Sequence, residues 1–318
     1  MKIAKHYVVR SAAIALVVGA SAARADEGGV SFWLPGQFGS FAAVPGEPGW
    51  SLPTIYFHGS VSAGGQKNFI IGGNLTAGVD AKADLLFLFP TYTFKEPVWG
   101  AQAAFGVGWA VAHERAAADV AVAGPLGNTF GGSRTDTVDG GSDIYGMGTL
   151  KWHNASDNWL AYTMFNLPTG AYRVGRLANV SINHYSIDAG GGYTYLDAAK
   201  GHEFSIVGGL TYNFENHDTD YKNGVDGHID WAASQFLSEQ VHVGVVGYFY
   251  HQLTGDSGSG AKLGDFESQV AGIGPQVGYF FPVGKSKGYV NLKAYWEFAD
   301  ENRASGWNTW LTLALPLQ

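Results

Sequence analysis

The stretch from Gly224 to Gly260 constrains the fold most, because polar and apolar residues alternate along its second half. Successive side chains of a β-strand point to opposite faces. The apolar face carries Val241, Val243, Val245 and Phe249, and the other face carries His242, Tyr248, Tyr250 and Gln252. A joint of five residues, 236–240, connects this strand to a similar one before it. An uncharged apolar face opposite a polar, aromatic face predicts one hairpin of a transmembrane β-barrel.

The lengths of the joints along the chain point to the same architecture. Twelve strand-like stretches lie near residues 53–61, 80–93, 98–113, 140–152, 158–167, 185–196, 202–214, 225–235, 241–252, 266–281, 289–298 and 306–317. The short joints are 94–97, 153–157, 197–201, 236–240 and 282–288, and the mostly longer ones are 62–79, 114–139, 168–184, 215–224, 253–265 and 299–305. Outer-membrane barrels have an even strand number, short periplasmic turns and longer extracellular loops. We therefore predict an all-β, antiparallel transmembrane barrel of about twelve strands, with both chain ends periplasmic.

Charged side chains fall on the polar faces of these strands. Lys293, Tyr295 and Glu297 alternate with apolar residues on one strand, and Glu203 lies on the polar face of another. A Lys or Arg that faces lipid near the middle of the membrane costs about 2–4 kcal/mol, whereas a wet lumen keeps it hydrated. A slip of one residue would move these charges into lipid, so the pattern also predicts the register.

The first residues have the pattern of an export signal. Lys2 and Lys5 precede an apolar run, and Ala23-Arg24-Ala25 resembles a cleavage site, so residues 1–25 are predicted to be a signal peptide cleaved near Ala25. Its removal takes away four basic residues and changes the formal net charge from −8 to −12, which argues against a nucleic-acid partner. The chain contains no cysteine, so no disulfide framework is expected. We predict a location in the outer membrane of a Gram-negative bacterium, with membrane lipid and the barrel-assembly machinery as partners.

Residues 26–52 differ in composition from the barrel predicted for 53–318. Pro35, Pro45 and Pro48 lack amide donors, which argues against a central strand. The segment is either a periplasmic linker or a plug folded back into the barrel. Packing for a plug would come from Phe32, Trp33, Phe38 and Phe41.

Candidate functional residues lie on the polar faces of the strands. These pore-lining or solute-contacting candidates are Asp226, His228, Asp230, His242, Tyr248, Tyr250, Gln252, Glu203, Lys293, Tyr295 and Glu297. One interpretation is a constriction with aromatic faces and hydrogen-bond donors for a solute. The other is an interior hydrogen-bond network that only fills and rigidifies the barrel.

Several motifs resemble a known family. Leu34-Pro35-Gly36, Leu167-Pro168-Thr169-Gly170-Ala171-Tyr172 and the run from Gly247 to Gly258 resemble the outer-membrane transporters labelled for the meta-pathway of phenol degradation. The last motif has the form Gly-Tyr-x-Tyr-x-Gln-x-Thr-x-Asp-x-Gly. The resemblance covers most of the chain after the signal, and it implies passage of aromatic or other poorly soluble compounds across the outer membrane.

We accordingly expect a channel for passive or binding-assisted uptake of small hydrophobic or aromatic compounds. No catalytic group, metal site or cofactor is predicted, because no phosphate-loop or metal-ligand spacing occurs. Two alternatives stay open. One is a structural or adhesion barrel with a sealed lumen, and the other is a barrel hydrolase that would pair Ser205 or Ser234 with a histidine.

Overall fold

The computed structural model describes residues 27, 31–71, 74–123, 129–264 and 267–317, and the predicted signal peptide lies outside them. This part of the chain is almost entirely β-structure. Its strands are β1 (Gly49–Ile71), β2 (Asn74–Leu88), β3 (Thr91–Thr93), β4 (Gln102–Ala123), β5 (Thr129–Gly141), β6 (Ile144–Asn154), β7 (Asp157–Leu167), β8 (Ser186–Asp197), β9 (His202–Asn213), β10 (Asp226–Phe236), β11 (Val241–Gln252), β12 (Gln269–Val283), β13 (Ser286–Glu301) and β14 (Ser305–Leu317). Among the described residues, no helix is long and apolar enough to span a membrane.

The strands form one antiparallel sheet that closes on itself. From β6 to β14 each strand pairs with the next in chain order, and β1, β2, β4 and β6 pair in that order. The sheet closes where β14 pairs with β1, from Trp50 opposite Leu317 to Ser62 opposite Ser305. The short β3 continues the line of β2 and pairs with β1 and β4, whereas β5 continues the line of β6 and pairs with β4. Twelve strand positions therefore surround the lumen in the described part of the chain, which confirms the predicted fold.

The side chains of β11 show how the register divides lipid from lumen. Val243, Val245 and Phe249 are 37–44% exposed on the outside. On the opposite face, His242, Tyr248, Tyr250 and Gln252 are at most 2% exposed. The outer exposure is what a lipid-facing surface requires, because the apolar side chains meet no protein there.

Two long hairpins differ from the sequence-based expectation. Residues 62–79 and 114–139 were predicted to be loops, but β1 and β2 extend to Ile71 and Asn74, and β4 and β5 extend to Ala123 and Thr129. The first strand also begins at Gly49 rather than at residue 53. The hairpins hold their strand form because their inner faces carry small apolar residues that pack together, including Ala112, Ala116 and Val138.

The connections define two ends of the barrel. At one end, which we call the turn end, the strand pairs β6–β7, β8–β9, β10–β11 and β12–β13 are joined by tight turns at residues 155–156, 198–201, 237–240 and 284–285. The other end, the loop end, carries the segments 168–185, 214–225 and 253–264.

Candidate functional site

Residues 31–44 lie inside the barrel, and we call this segment the plug. Trp33 is fully buried, and its ring stacks on His228 of β10 with centroids 3.6 Å apart and planes 13° apart. Phe38 packs between Trp33 and Tyr162 of β7. Phe32 lies 5.9 Å from the Tyr145 ring of β6. Phe41 packs at the far side, against a group made of Phe236, His242, Phe280 and Tyr289.

Two oppositely charged side chains hold the turn at the centre of the plug. Asp230 accepts hydrogen bonds from the amides of Gly36 and Phe38, at 2.9 and 3.0 Å. Lys293 Nζ donates to the carbonyls of the same two residues, at 2.6 and 3.1 Å. Charge-assisted hydrogen bonds of this kind are about twice as strong as neutral ones. Both side chains are buried, so they bind the plug rather than line open water.

The end of the plug is anchored by a second polar group. Glu203 Oε1 accepts from the amide of Phe41 at 3.1 Å, and its Oε2 accepts from Ser40 Oγ at 2.7 Å. The amide of Ala43 donates to Thr194 Oγ1 at 3.1 Å. Lys151 Nζ donates to the Val44 carbonyl at 3.1 Å. The plug therefore contacts strands from β6 to β13.

Gly36 allows the plug to approach the wall closely. Its φ of +88° suits glycine, and a Cβ there would lie 3.0 Å from the Tyr295 ring and 3.2 Å from Tyr248. Those two rings lie 4.9 Å apart. The Tyr248 hydroxyl donates to Glu297 Oε1 at 2.8 Å and accepts from Asn308 Nδ2 at 2.9 Å.

The remaining candidates belong to buried networks of the wall. His228 Nε2 lies 2.8 Å from Asp188 Oδ2, and both side chains are buried. Asp226 accepts from Asn213 Nδ2 at 2.8 Å. Gln252 Nε2 donates to Asp256 Oδ1 at 2.6 Å, and His242 Nε2 lies 3.0 Å from the Tyr289 hydroxyl. The Arg303 guanidinium lies 5.2 Å from the centroid of the Tyr250 ring. A solute contact by these residues stays a prediction.

The open space lies on the other side of the plug, against β1, β2, β4 and β6. A loop-end cavity of about 200 Å³ and a turn-end cavity of about 180 Å³ occupy it. Both cavities are lined mainly by apolar side chains. Three residues line both of them, namely Leu34 of the plug, Phe87 of β2 and Tyr145 of β6. These three side chains therefore separate the two cavities, and we call them the divide.

Sequence reasoning did not select the divide, although a signal was present. Residues 85–89 are apolar on both faces, and Phe87 and Leu85 point inward while Leu86 is 41% exposed outside. A water-filled lumen would favour polar side chains on the inner face. An apolar inner face is consistent with a lumen that offers apolar contact on this side.

The loop end closes over the first cavity with residues 171–182. Tyr172 lines that cavity, and its hydroxyl accepts from Asn216 Nδ2 at 3.2 Å. Burial and the nearby Glu27 carboxylate raise the pKa of Tyr172 to about 12, so the phenol is protonated at neutral pH. The mouth of the cavity thus presents a neutral hydroxyl.

The serines considered for hydrolysis have other bonding partners. Ser205 Oγ donates to Glu203 Oε1 at 2.5 Å, and Ser234 Oγ accepts from Gln276 Nε2 at 2.8 Å. In the described ranges, no group of three or more His, Asp or Glu side chains is arranged to hold a metal ion.

The chain is similar to several solved structures. The COG4313 outer membrane channel from Pseudomonas putida F1 is 13% identical, with a TM-score of 0.66 over 87% of this chain and 98% of that one. The transport unit of the autotransporter AIDA-I from Escherichia coli is 10% identical, with a TM-score of 0.48 over 86% and 91% of the two chains. A FadL homologue from Pseudomonas aeruginosa is 9% identical, with a TM-score of 0.42 over 83% and 89%. No curated protein sequence matches the chain.

The first of these structures shows the fold alone, because its sequence identity is low. The sequence itself gives the family. It matches one protein family over residues 64–313, from the β1–β2 hairpin to β14. The chain belongs to the family described as "Putative MetA-pathway of phenol degradation".

Proposed function

We propose that this barrel is an outer-membrane channel for passive or binding-assisted uptake of small hydrophobic or aromatic compounds. The observation that carries the proposal is the pair of apolar cavities on either side of Leu34, Phe87 and Tyr145. An apolar cavity of about 150 Å³ in another protein is large enough for benzene. Each cavity here, at about 200 and 180 Å³, is of the size for one small ring.

The route runs beside the plug rather than through the space it occupies. The plug is held by Asp230, Lys293 and Glu203 on the side of β9 to β13. A solute passing from the loop-end cavity to the turn-end cavity has to move the side chains of the divide. Rotation of Phe87 or Tyr145 is a smaller rearrangement than release of the plug, because it breaks fewer hydrogen bonds. The plug then acts as a fixed inner wall of the channel.

The other proposed assignments follow from the same fold. The exposed apolar outer face of β11 fits outer-membrane lipid. Cleavage of residues 1–25 near Ala25, residence in the outer membrane and insertion by the barrel-assembly machinery complete the proposal. The name of the family and the apolar cavities both support an aromatic solute.

The experiment measures uptake of labelled toluene by Gram-negative cells that lack this protein and carry plasmid copies of it. Phe87→Trp fills the divide and should lower the uptake rate several-fold, whereas Phe87→Ala should raise it. Leu86→Trp is the matched control, because Leu86 is the neighbouring residue and faces outward. Equal uptake with and without the wild-type protein would exclude the channel and favour a sealed barrel.

A further inference from the structure

We propose that Glu114 makes the loop-end cavity selective for solutes that carry a hydrogen-bond donor, a hydroxyl or a protonated amine, on a small apolar body. The inference rests on the proposed channel function and adds the solute chemistry that the channel prefers. It concerns a residue outside the polar network that holds the plug.

Glu114 is the only charged residue in a row of alanines. The inner face of β4 carries Ala110, Ala112, Glu114, Ala116 and Ala118, and the four alanines are at most 7% exposed. The cross-strand neighbours of Glu114 are Ala83 on β2 and Val138 on β5. The carboxylate therefore projects from an apolar wall, and Glu114 lines the loop-end cavity.

Apolar residues also close the cavity above this wall. Leu177, Ala178 and Val180 of the loop-end segment are buried and pack in the same cluster as Ala112, Ala116 and Val138. Leu177, Ala178 and Val180 line the cavity together with Glu114. Apolar side chains therefore lie around the carboxylate on this side of the cavity as well.

The Glu114 carboxylate has no protein partner in the described part of the chain: it forms neither an ion pair nor a hydrogen bond there. Other acids at this cavity are bonded. Glu297 accepts from the Tyr248 hydroxyl and the Gly306 amide, both at 2.8 Å, and Glu27 accepts from Asn216 at 2.9 Å. Lys82, Arg115 and Arg303 also line this cavity, but none of them pairs with Glu114 in the described part of the chain.

An unpaired carboxylate in apolar surroundings is unfavourable unless a donor reaches it. A solute with an N–H or O–H group supplies that donor, and its apolar body fills the alanine- and leucine-lined space. A carboxylate solute of the same size supplies no such donor. The affinity of the cavity for small ring compounds should therefore depend on their polar group rather than on their size.

The test measures equilibrium binding of four one-ring compounds to the purified full-length barrel in detergent by ligand-observed NMR. The compounds are benzylamine, phenol, toluene and benzoate. We expect benzylamine and phenol to bind more tightly than toluene and benzoate, which supply no donor. Glu114→Gln should weaken benzylamine binding about tenfold, the lower end of the effect of a charged hydrogen bond. Phenol should change little because the amide oxygen still accepts a hydrogen bond.

Glu114→Leu should remove the advantage of both donor compounds over toluene. Glu239→Gln is the matched control, because it makes the same change at the exposed β10–β11 turn. Glu114→Gln is nearly isosteric, so it carries the test alone if the leucine variant does not fold. An unchanged ranking in Glu114→Gln would overturn the inference. If toluene uptake depends on Phe87 but the Glu114 variants bind the four compounds as the wild type does, this inference alone is rejected. If binding is selective but the protein supports no uptake, the channel function is rejected.

Discussion

Lys293 and Asp230 bind opposite sides of one residue of the plug: the Lys293 amine lies 2.6 Å from the Gly36 carbonyl oxygen, and the Asp230 carboxylate lies 2.9 Å from the Gly36 amide nitrogen. The two charges thus neutralise each other through the plug, without a direct salt bridge. Removing either one leaves the other buried with an incomplete set of partners.

Replacing Lys293 should therefore loosen the plug. We expect Lys293→Met to weaken plug docking by about 3 kcal/mol, since an uncompensated buried carboxylate remains. Planar-bilayer recording should show a larger and noisier conductance than the wild type. Lys285→Met, at an exposed turn, is the control and should not change the conductance. Identical recordings from both variants would contradict a plug held by this lysine.

Trp33 should be the main apolar anchor of the plug. Trp33→Ala removes a fully buried ring stacked on His228, and buried Trp or Phe to Ala changes cost about 3–5 kcal/mol. The backbone hydrogen bonds between the barrel strands are not affected. Limited proteolysis should thus cut the segment 31–44 while the barrel stays resistant. Trp99→Ala, at a side chain that is 85% exposed, should leave the segment protected.

A tight turn offers a stabilising substitution. Ala155 in the β6–β7 turn has a φ of +54°, a left-handed conformation that costs a residue with a Cβ about 1 kcal/mol or more. Ala155→Gly should raise the free energy of unfolding in urea by about 1 kcal/mol. Ala199→Gly is the comparison, because Ala199 lies in the β8–β9 turn without a positive φ. The idea fails if both glycines have the same effect.

The loop from 168 to 185 should lose stability in mild acid. Burial lowers the pKa of His184 below its usual 6.5, and this effect is larger than the opposing effects of the Ile182 carbonyl and Asp143. The unfolded loop therefore binds a proton first as the pH falls below about 6.5, which favours the unfolded form. Amide hydrogen exchange across the loop should be faster at about pH 5 than at about pH 7.5, after correction for the intrinsic rate. His184→Gln should remove this difference.

The barrel could be predicted because short-range sequence patterns determine its strands and their pairing. The alternation in β11 fixes which side chains face lipid, and the tight turns fix neighbouring strands as antiparallel pairs. The long β1–β2 and β4–β5 hairpins were missed, because Gly-, Asp- and Ser-rich strands at the loop end have the composition of loops. Only their inward packing, through residues such as Ala116 and Val138, distinguishes them.

The candidate site was predictable in part. The polar residues of β10, β11 and β13 were found, since polar side chains on an inner face form a recognisable pattern. Whether Asp230 and Lys293 meet a solute or a segment of the same chain depends on how residues 31–44 fold back. That is a long-range contact with no local signature. Phe87 and Glu114 were missed for a related reason, because they stand out only against the neighbours that the closed sheet provides.

The position of the plug in the chain has a consequence for the order of assembly. Gly36 precedes the first strand, yet its partners Asp230 and Lys293 follow it by 194 and 257 residues. Contacts between residues so far apart in sequence form slowly, because a long loop has to close first. The plug can dock only after β10 and β13 exist, so the newly inserted barrel should first be hollow. Each molecule should then have a wider lumen during its biogenesis, before its own N-terminal segment fills it.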